Sequence, residues 1–224
     1  MNKNKIPVVV LISGRGSNLQ SIIEAMQHQQ LDIDIKAVIS NRPDATGLEK
    51  ARAAGIPAIT VDHQQFANRH DFDLALQKSI DRYHPELLVL AGFMRILGED
   101  FVNHYLGRML NIHPSLLPRY PGLNTHQRAL DNKDRWHGAS IHFVASELDG
   151  GPVVLQVRLP VLEDDDQESL AERVLQQEHK LYCQAIQWFV EKRLILHQGQ
   201  AYLDGNKITQ PVIMDAKLDR NLTS

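Results

Sequence analysis

The sequence is poor in cysteine. Cys183 is the only one in 224 residues, which excludes an intramolecular disulfide framework and points to a reducing compartment. It falls within a helical pattern, where a small buried side chain is a simpler reading than a nucleophile. No apolar run approaches the ~20 residues of a membrane span. The apolar stretch 6–12, behind Lys3 and Lys5, runs straight into Ser13-Gly14-Arg15-Gly16-Ser17-Asn18, with no small-residue cleavage site of the secretory kind. A basic excess is also missing. The formal net charge is −3, so no global field recruits nucleic acid or an anionic membrane. None of the eleven histidines shows the spacing of a zinc site, and no internal repeat or linker appears. The expectation is a soluble, cytoplasmic protein with no metal and no nucleic-acid or membrane partner.

What is present is a core. Hydrophobic residues make up 43% of the chain, enough for one large domain, expected over 1–208, with a loose tail over 209–224 where periodicity stops. Apolar runs at 6–12, 87–91 and 109–112 read as buried strands, and 33–39 and 56–61 as two further strands. Helical patterns at 19–28, 48–54, 72–83 and 101–106 fall between them, and Ser17 or Asn18 stands where an N-cap belongs. Two more strands follow at 140–144 and 153–159, then an acidic run at 163–166 read as solvated loop, a long helix at 169–190, and a hairpin at 194–197 and 201–203. This alternation predicts an α/β fold: a Rossmann-like, doubly wound, mostly parallel sheet with helices on both faces.

Within that frame Met109-Leu110-Asn111-Ile112-His113-Pro114-Ser115-Leu116-Leu117-Pro118 stands out. Period-two alternation puts Asn111 and His113 on one side of a strand end, ahead of a proline-stiffened turn. A fixed amide dipole beside a side chain that titrates near neutrality suits a reaction in which an oxygen gains charge and a proton moves. In doubly wound sheets ligands bind beyond the carboxyl ends of the strands, near the reversal of strand order. The turns at 13–18, 92–97 and from 113 onward should therefore share one crevice.

Other candidates carry competing readings. The turn Gly14 to Asn18 before a helix suits a phosphate, or is simply a tight turn. As a dinucleotide fingerprint it is incomplete, because the third glycine position holds Leu19 and strand two ends without an acid. Arg42 facing an extra phosphate keeps an NADP-binding protein as a rival. Phe93 to Leu97 is either the lip of the core or a slot for a flat heterocycle. His142 lies within a strand and reads as packed or supporting, while His28, His63, His70, His84 and His197 sit in polar stretches. Asp149, in Leu148-Asp149-Gly150-Gly151-Pro152, either bonds its own turn or pairs with His113 and raises its pKa. Glu178 is by default an exposed helix carboxylate.

Taken together, Leu11-Ile12-Ser13-Gly14-x-Gly16-Ser17-Asn18-Leu19, Ala91-Gly92-Phe93-Met94-Arg95-Ile96-Leu97, Asn111 to Pro118 and Leu148 to Pro152 resemble the phosphoribosylglycinamide formyltransferases, the folate-dependent glycinamide ribonucleotide transformylases. The likeness runs from Val8 to Leu203. It implies the formyltransferase fold and transfer of a formyl group from 10-formyltetrahydrofolate, as co-substrate, to the amine of glycinamide ribonucleotide in purine biosynthesis. It also implies roles by position. Asn111, His113 and Asp149 fall on catalytic places, with His113 as a protonated acid. Gly16, Ser17 and Asn18 fall on the ribonucleotide's phosphate site, and Leu175, Gln176, Gln177 and Glu178 on further contacts to the same substrate. Arg69, Met94, Arg95, Ile96, Leu97, Asn111 and Ala145, Ser146, Glu147, Leu148, Asp149 match folate-binding places. Arg15 and Asn124 depart from the family pattern and receive no role. The assembly expected is a monomer or weak dimer. Two relatives sharing this core fit less well. Methionyl-tRNA formyltransferase carries an added RNA-binding domain, and formyltetrahydrofolate deformylase a preceding regulatory one, whereas the first strand here begins at Ile6.

Overall fold

Strand β1 (Ile6–Ile12) is apolar at every position, because both of its faces are covered. Val8, Val10 and Ile12 point into one core, Val9 and Leu11 into a second. In the computed structural model, which describes residues 5–215, the chain continues as α1 (Ser17–Gln27), β2 (Ile33–Ser40), α2 (Gly47–Ala53), β3 (Ala58–Thr60), α3 (Arg69–Asp81), β4 (Leu87–Leu90), α4 (Glu99–His104) and β5 (Met109–His113). After these come α5 (Thr125–Asp131), β6 (Trp136–Phe143), β7 (Val153–Pro160) and α6 (Gln167–Val190). The last elements are β8 (Leu194–His197), β9 (Gln200–Leu203), β10 (Asn206–Lys207) and β11 (Val212–Asp215).

Eight strands form one sheet in the order β11-β7-β6-β5-β4-β1-β2-β3, and β10-β9-β8 form a small second sheet. Helices α1, α2 and α6 cover one face of the large sheet, and α3 and α4 the other. This is the expected doubly wound arrangement. Strand order reverses between β1 and β4, which opens a crevice at their carboxyl ends. Beyond β5 the direction changes: β6 runs antiparallel to both β5 and β7.

Four local expectations need correction. Neither Ser17 nor Asn18 caps α1. The N-cap is Gly16 at φ 65°, with no side-chain cap bond, because the turn is packed so tightly that a Cβ on Gly16 would stand 2.9 Å from the Gly47 Cα. The acidic run is more than solvated loop: Asp166 accepts from the Glu168 and Ser169 N–H groups as the cap of α6, and Asp165 pairs with Arg173 while almost wholly buried. Helix α5, seven residues long, has no counterpart in the sequence reading. The tail expected from 209 onward is ordered in part. Val212–Asp215 adds to the sheet edge, parallel to β7, held by ladder hydrogen bonds that leave no pattern in four residues. The rest of that tail, 216–224, lies outside the described residues.

The two halves of the sheet are tied by α6. Tyr182, fully buried, has its hydroxyl 2.7 Å from the Leu110 carbonyl and 3.0 Å from that of Leu90. It can donate to one of them at a time. Replacing it with Phe leaves a buried carbonyl without its donor, a cost of about 1 kcal/mol. For a domain of this size the melting temperature of Tyr182→Phe should fall by roughly 2–4 °C, measurable by calorimetry, with no change in the far-ultraviolet dichroism.

Candidate active site

The alternation of β5 is real. Leu110 and Ile112 enter one core, and Met109 the other, so Asn111 and His113 share the Met109 side. Antiparallel β6 sets His142 opposite Asn111 and Ser140 opposite His113. The His142 Nδ1–H donates to the Phe143 carbonyl at 2.9 Å, which leaves Nε2 as an acceptor. The Asn111 amide nitrogen lies 3.0 Å from it and donates one N–H there. The ring thereby fixes which way the Asn111 amide faces and leaves its second N–H available to the cleft.

Asp149 arrives from the segment that follows β6. Its backbone is left-handed, φ 51°, and the next turn folds back so closely that a Cβ on Gly151 would stand 1.9 Å from the Phe143 carbonyl oxygen. The carboxylate does not merely bond its own turn. Oδ2 accepts the Gly122 N–H at 2.8 Å and lies 3.4 Å from His113 Nδ1, while Oδ1 lies 3.6 Å from His142 Nε2. Burial alone would raise the Asp149 carboxyl, but His142 and His113 in their protonated forms and the Gly122 N–H outweigh it, so it is held below its ordinary value.

His113 is 6% exposed. Its Nε2–H donates to the Tyr120 carbonyl at 2.8 Å, so Nδ1 is the atom that gains or loses a proton. The Asp149 pairing raises its pKa as expected, and so does the Tyr120 carbonyl, but burial is the larger effect and the net direction is down. That direction runs against the charged acid expected for the resting ring. Both partners are shifted down, which favours a carboxylate beside a neutral imidazole.

The turn after β5 is pinned from below. The Ser140 hydroxyl donates to the Ser115 carbonyl at 2.6 Å and accepts the Leu117 N–H at 3.0 Å. Gln156 on β7 donates to the Leu117 carbonyl and to Ser140 Oγ, each at 2.9 Å. Ser115, Ser140 and Gln156 are all buried. In the sequence Ser115 stands in the turn motif without a role of its own, and neither Ser140 nor Gln156 drew attention. Their only signal is the register His113–Ser140–Gln156 across three strands, which a linear reading does not contain.

Asn111, Arg95, Ile96, Leu97 and the run Ala145, Ser146, Glu147, Leu148, Asp149 line one narrow cleft of about 80 Å³. The 93–97 loop is the lip of the core at Phe93 and Leu97, which are buried, while Met94 and Ile96 are 69% and 55% exposed. Met94 does not line the cleft with its side chain, but its N–H donates to Ser13 Oγ at 2.7 Å, joining the turns after β1 and β4. Arg69 is the first residue of α3 and lies outside the lining. At the other end of the crevice Gly16, Ser17 and Asn18 form the uncapped start of α1. Asn18 donates to Glu178 at 2.7 Å, so Glu178 is buried rather than exposed, and burial raises its pKa. Leu175 lies one turn earlier on the same face of α6, whereas Gln176 is exposed and Gln177 half-buried. Burial pushes the Cys183 thiol up to about 11, which leaves it no nucleophilic character. Arg42, the basis of the NADP reading, forks onto Asp44 at 2.6 and 3.0 Å.

Comparison with known proteins gives the same direction. Residues 6–186 match the family described as formyl transferase. The phosphoribosylglycinamide formyltransferase of Escherichia coli K12 is 52% identical over 201 residues, 90% of this chain and 95% of that protein. The enzyme of the same name from Haemophilus influenzae is 44% identical over the same shares. The solved structure of phosphoribosylglycinamide formyltransferase from Coxiella burnetii, in complex with CHES, is 51% identical, covers 92% of this chain and 99% of its own, and superposes with a TM-score of 0.88. The chain belongs to the formyl transferase family, and within it to the phosphoribosylglycinamide formyltransferases.

Proposed function

We propose that the enzyme moves the formyl group of 10-formyltetrahydrofolate onto the amine of glycinamide ribonucleotide, with Asn111, His113 and Asp149 as its chemical groups. The observation that carries this reading is that Asn111 and Asp149 line one cleft, with the buried His113 ring 3.4 Å behind the Asp149 carboxylate. The cleft is far below the ~300–1,000 Å³ of a complete ligand pocket, which suits the flat end of the folate rather than the whole donor. Ile96, Leu97 and the backbone of Ala145 to Asp149 are its assigned contacts, with Met94 and Arg95 at the rim and Arg69 reaching the donor's far end. The phosphate of the second substrate belongs at Gly16, Ser17 and Asn18, where free N–H groups of the helix start and its dipole favour an anion. Glu178 then holds Asn18 in place and faces the same substrate, with Leu175, Gln176 and Gln177 alongside.

The steps balance with a neutral His113. The amine attacks the formyl carbon, a C–N bond forms, and the carbonyl π pair moves onto oxygen. The second Asn111 N–H donates to that oxyanion. The new ammonium centre gives its proton to His113 Nδ1, through water ordered by Asp149, so the ring carries that proton as an imidazolium beside the Asp149 carboxylate. The oxygen pair then re-forms the carbonyl, the bond to the folate nitrogen breaks, and that nitrogen takes the proton from His113. The ring ends neutral. Asp149 stabilises the charged ring in between.

Purified enzyme should consume 10-formyltetrahydrofolate only when glycinamide ribonucleotide is present, followed spectrophotometrically. Consumption with the folate alone would mean a hydrolase. Asp149→Asn should keep its fold, and Asn111→Ala should lose about a hundredfold to a thousandfold in turnover, the usual cost of one oxyanion donor. Near-normal rates in Asp149→Asn would sink its role.

The protonation state has its own check. In the ligand-free enzyme the His113 ring should titrate below 6.5, the ordinary imidazole value, when its C–H resonances are followed by NMR. Because the carboxylate favours the charged ring, Asp149→Asn should move that titration lower still. A titration above 6.5 would restore the charged acid in place of the neutral carrier.

A further inference from the structure

Tyr120 has a bulky side chain on a left-handed backbone, φ 56°. That conformation is strained for a non-glycine residue and persists only where the surroundings over-determine it. Here they do. The Tyr120 hydroxyl donates to Asp134 Oδ2 at 2.7 Å, and the Asp134 side chain is only 8% exposed. Arg119 binds the other oxygen of Asp134 at 2.7 Å. The guanidinium groups of Arg119 and Arg128 lie 5.1 and 5.0 Å from the ring centroid, within cation–π range. Arg128 also donates to the Pro121 carbonyl at 2.7 Å, fixing the backbone just beyond. Below the ring, the Ser115 hydroxyl donates to the Arg119 carbonyl at 2.6 Å.

All of this holds one atom. The Tyr120 carbonyl oxygen is the acceptor for His113 Nε2–H at 2.8 Å, and two residues on, the Gly122 N–H holds Asp149 Oδ2 at 2.8 Å. The strained turn therefore supports both members of the His113–Asp149 pair from their far sides. A relaxed residue at 120 would turn the carbonyl away and free Nε2. The ring could then change tautomer, and Nδ1 would no longer be the sole titrating atom.

We infer that Tyr120 and Asp134 are positioning residues: the phenol anchored on Asp134 keeps the left-handed turn whose carbonyl fixes the tautomer and tilt of His113. The inference rests on the reading of His113 as the proton carrier. Arg119 is a lesser part, since its side chain is 56% exposed and such ion pairs contribute little. The groups facing His113 are Asp149 from the segment after β6, His142 and His137 on β6, and Arg128 and His126 on α5. Tyr120→Phe keeps the ring that Arg128 faces and the Asp134 charge that His137 faces, so it is a cleaner variant than Asp134→Ala.

The test compares full-length Tyr120→Phe, Asp134→Ala and Asp134→Asn by steady-state kinetics, NMR titration of His113 and thermal melting. A positioned group displaced by about 1 Å can cost roughly a hundredfold in rate. Tyr120→Phe and Asp134→Ala should accordingly lose about tenfold or more in kcat, with KM for both substrates within about twofold of wild type. Asp134→Asn keeps an oxygen facing the phenol and should recover most of the rate. The Tyr120 carbonyl favours the charged ring, so His113 should titrate at lower pH in the two damaging variants. If these variants only melt earlier, with kcat and the His113 titration unchanged, the inference is overturned and the clamp is merely structural. His113→Asn separates the two levels. Near-normal turnover in that variant removes His113 as proton carrier, while the His113 titration in Tyr120→Phe still decides whether the phenol positions the ring.

Discussion

The antiparallel pairing of β6 on β5 is the constraint from which the site follows. Were β6 parallel, it would need a crossover and would enter the sheet from the opposite end. Running back instead, it sets His142 against Asn111 and Ser140 against His113. It also ends level with Leu110, the second residue of β5. The chain leaving it must therefore return over the side that carries Asn111 and His113, and Asp149 is delivered by that return. A sheet that is otherwise parallel gains, from one reversed strand, a polar row beside its carboxyl-end crevice.

That row has to be satisfied within the protein, because water is largely excluded from it. Buried hydroxyls and amides cost free energy unless each finds a partner. The Ser140 hydroxyl and the Gln156 amide bond to one another and to the backbone at Ser115 and Leu117, and the Ser115 hydroxyl donates to the Arg119 carbonyl. Their partners lie in the turn after His113, so meeting their hydrogen-bond requirement immobilises that turn. Burial acts on His113 in a different way. It disfavours charge more than Asp149 and the Tyr120 carbonyl restore it, which leaves a ring able to take a proton and a neighbour ready to stabilise it once charged.

Much of this was legible in the sequence, for physical reasons. The parallel strands β1 and β4 are buried on both faces and announce themselves as continuous apolar runs. The switch-point rule then gathers the turns after β1, β4 and β5 without any coordinates, and the hydrogen bond from Met94 N–H to Ser13 Oγ joins two of them. What stayed hidden depends on register or on long-range contact. Gln156 looks like any polar residue in a strand until it is seen across from Ser140. Glu178 looks exposed on a helix until α1 is packed against α6 and Asn18 reaches it. The four residues of β11 have no pattern of their own, since an edge strand is held mainly by its neighbour's ladder. The sign of the His113 shift was unreadable for the same reason: the sequence names the charges nearby but not the depth of burial.

The strained positions show where local preference yields to the site. Tyr120, Asn124 and Asp149 all have left-handed backbones, at φ 56°, 57° and 51°. Asn and Asp tolerate this conformation better than other residues with side chains, so Asn124 at the start of α5 and Asp149 in its turn are mild cases. Tyr120 is not. A glycine would adopt the turn without strain, but it would lack the phenol and ring that hold the turn in one state, and would lose more conformational freedom on folding. The choice of a ring-bearing residue exchanges local ease for rigidity at the carbonyl facing His113. Strain at that point is intelligible only if a particular geometry of the imidazole matters more than the comfort of the turn.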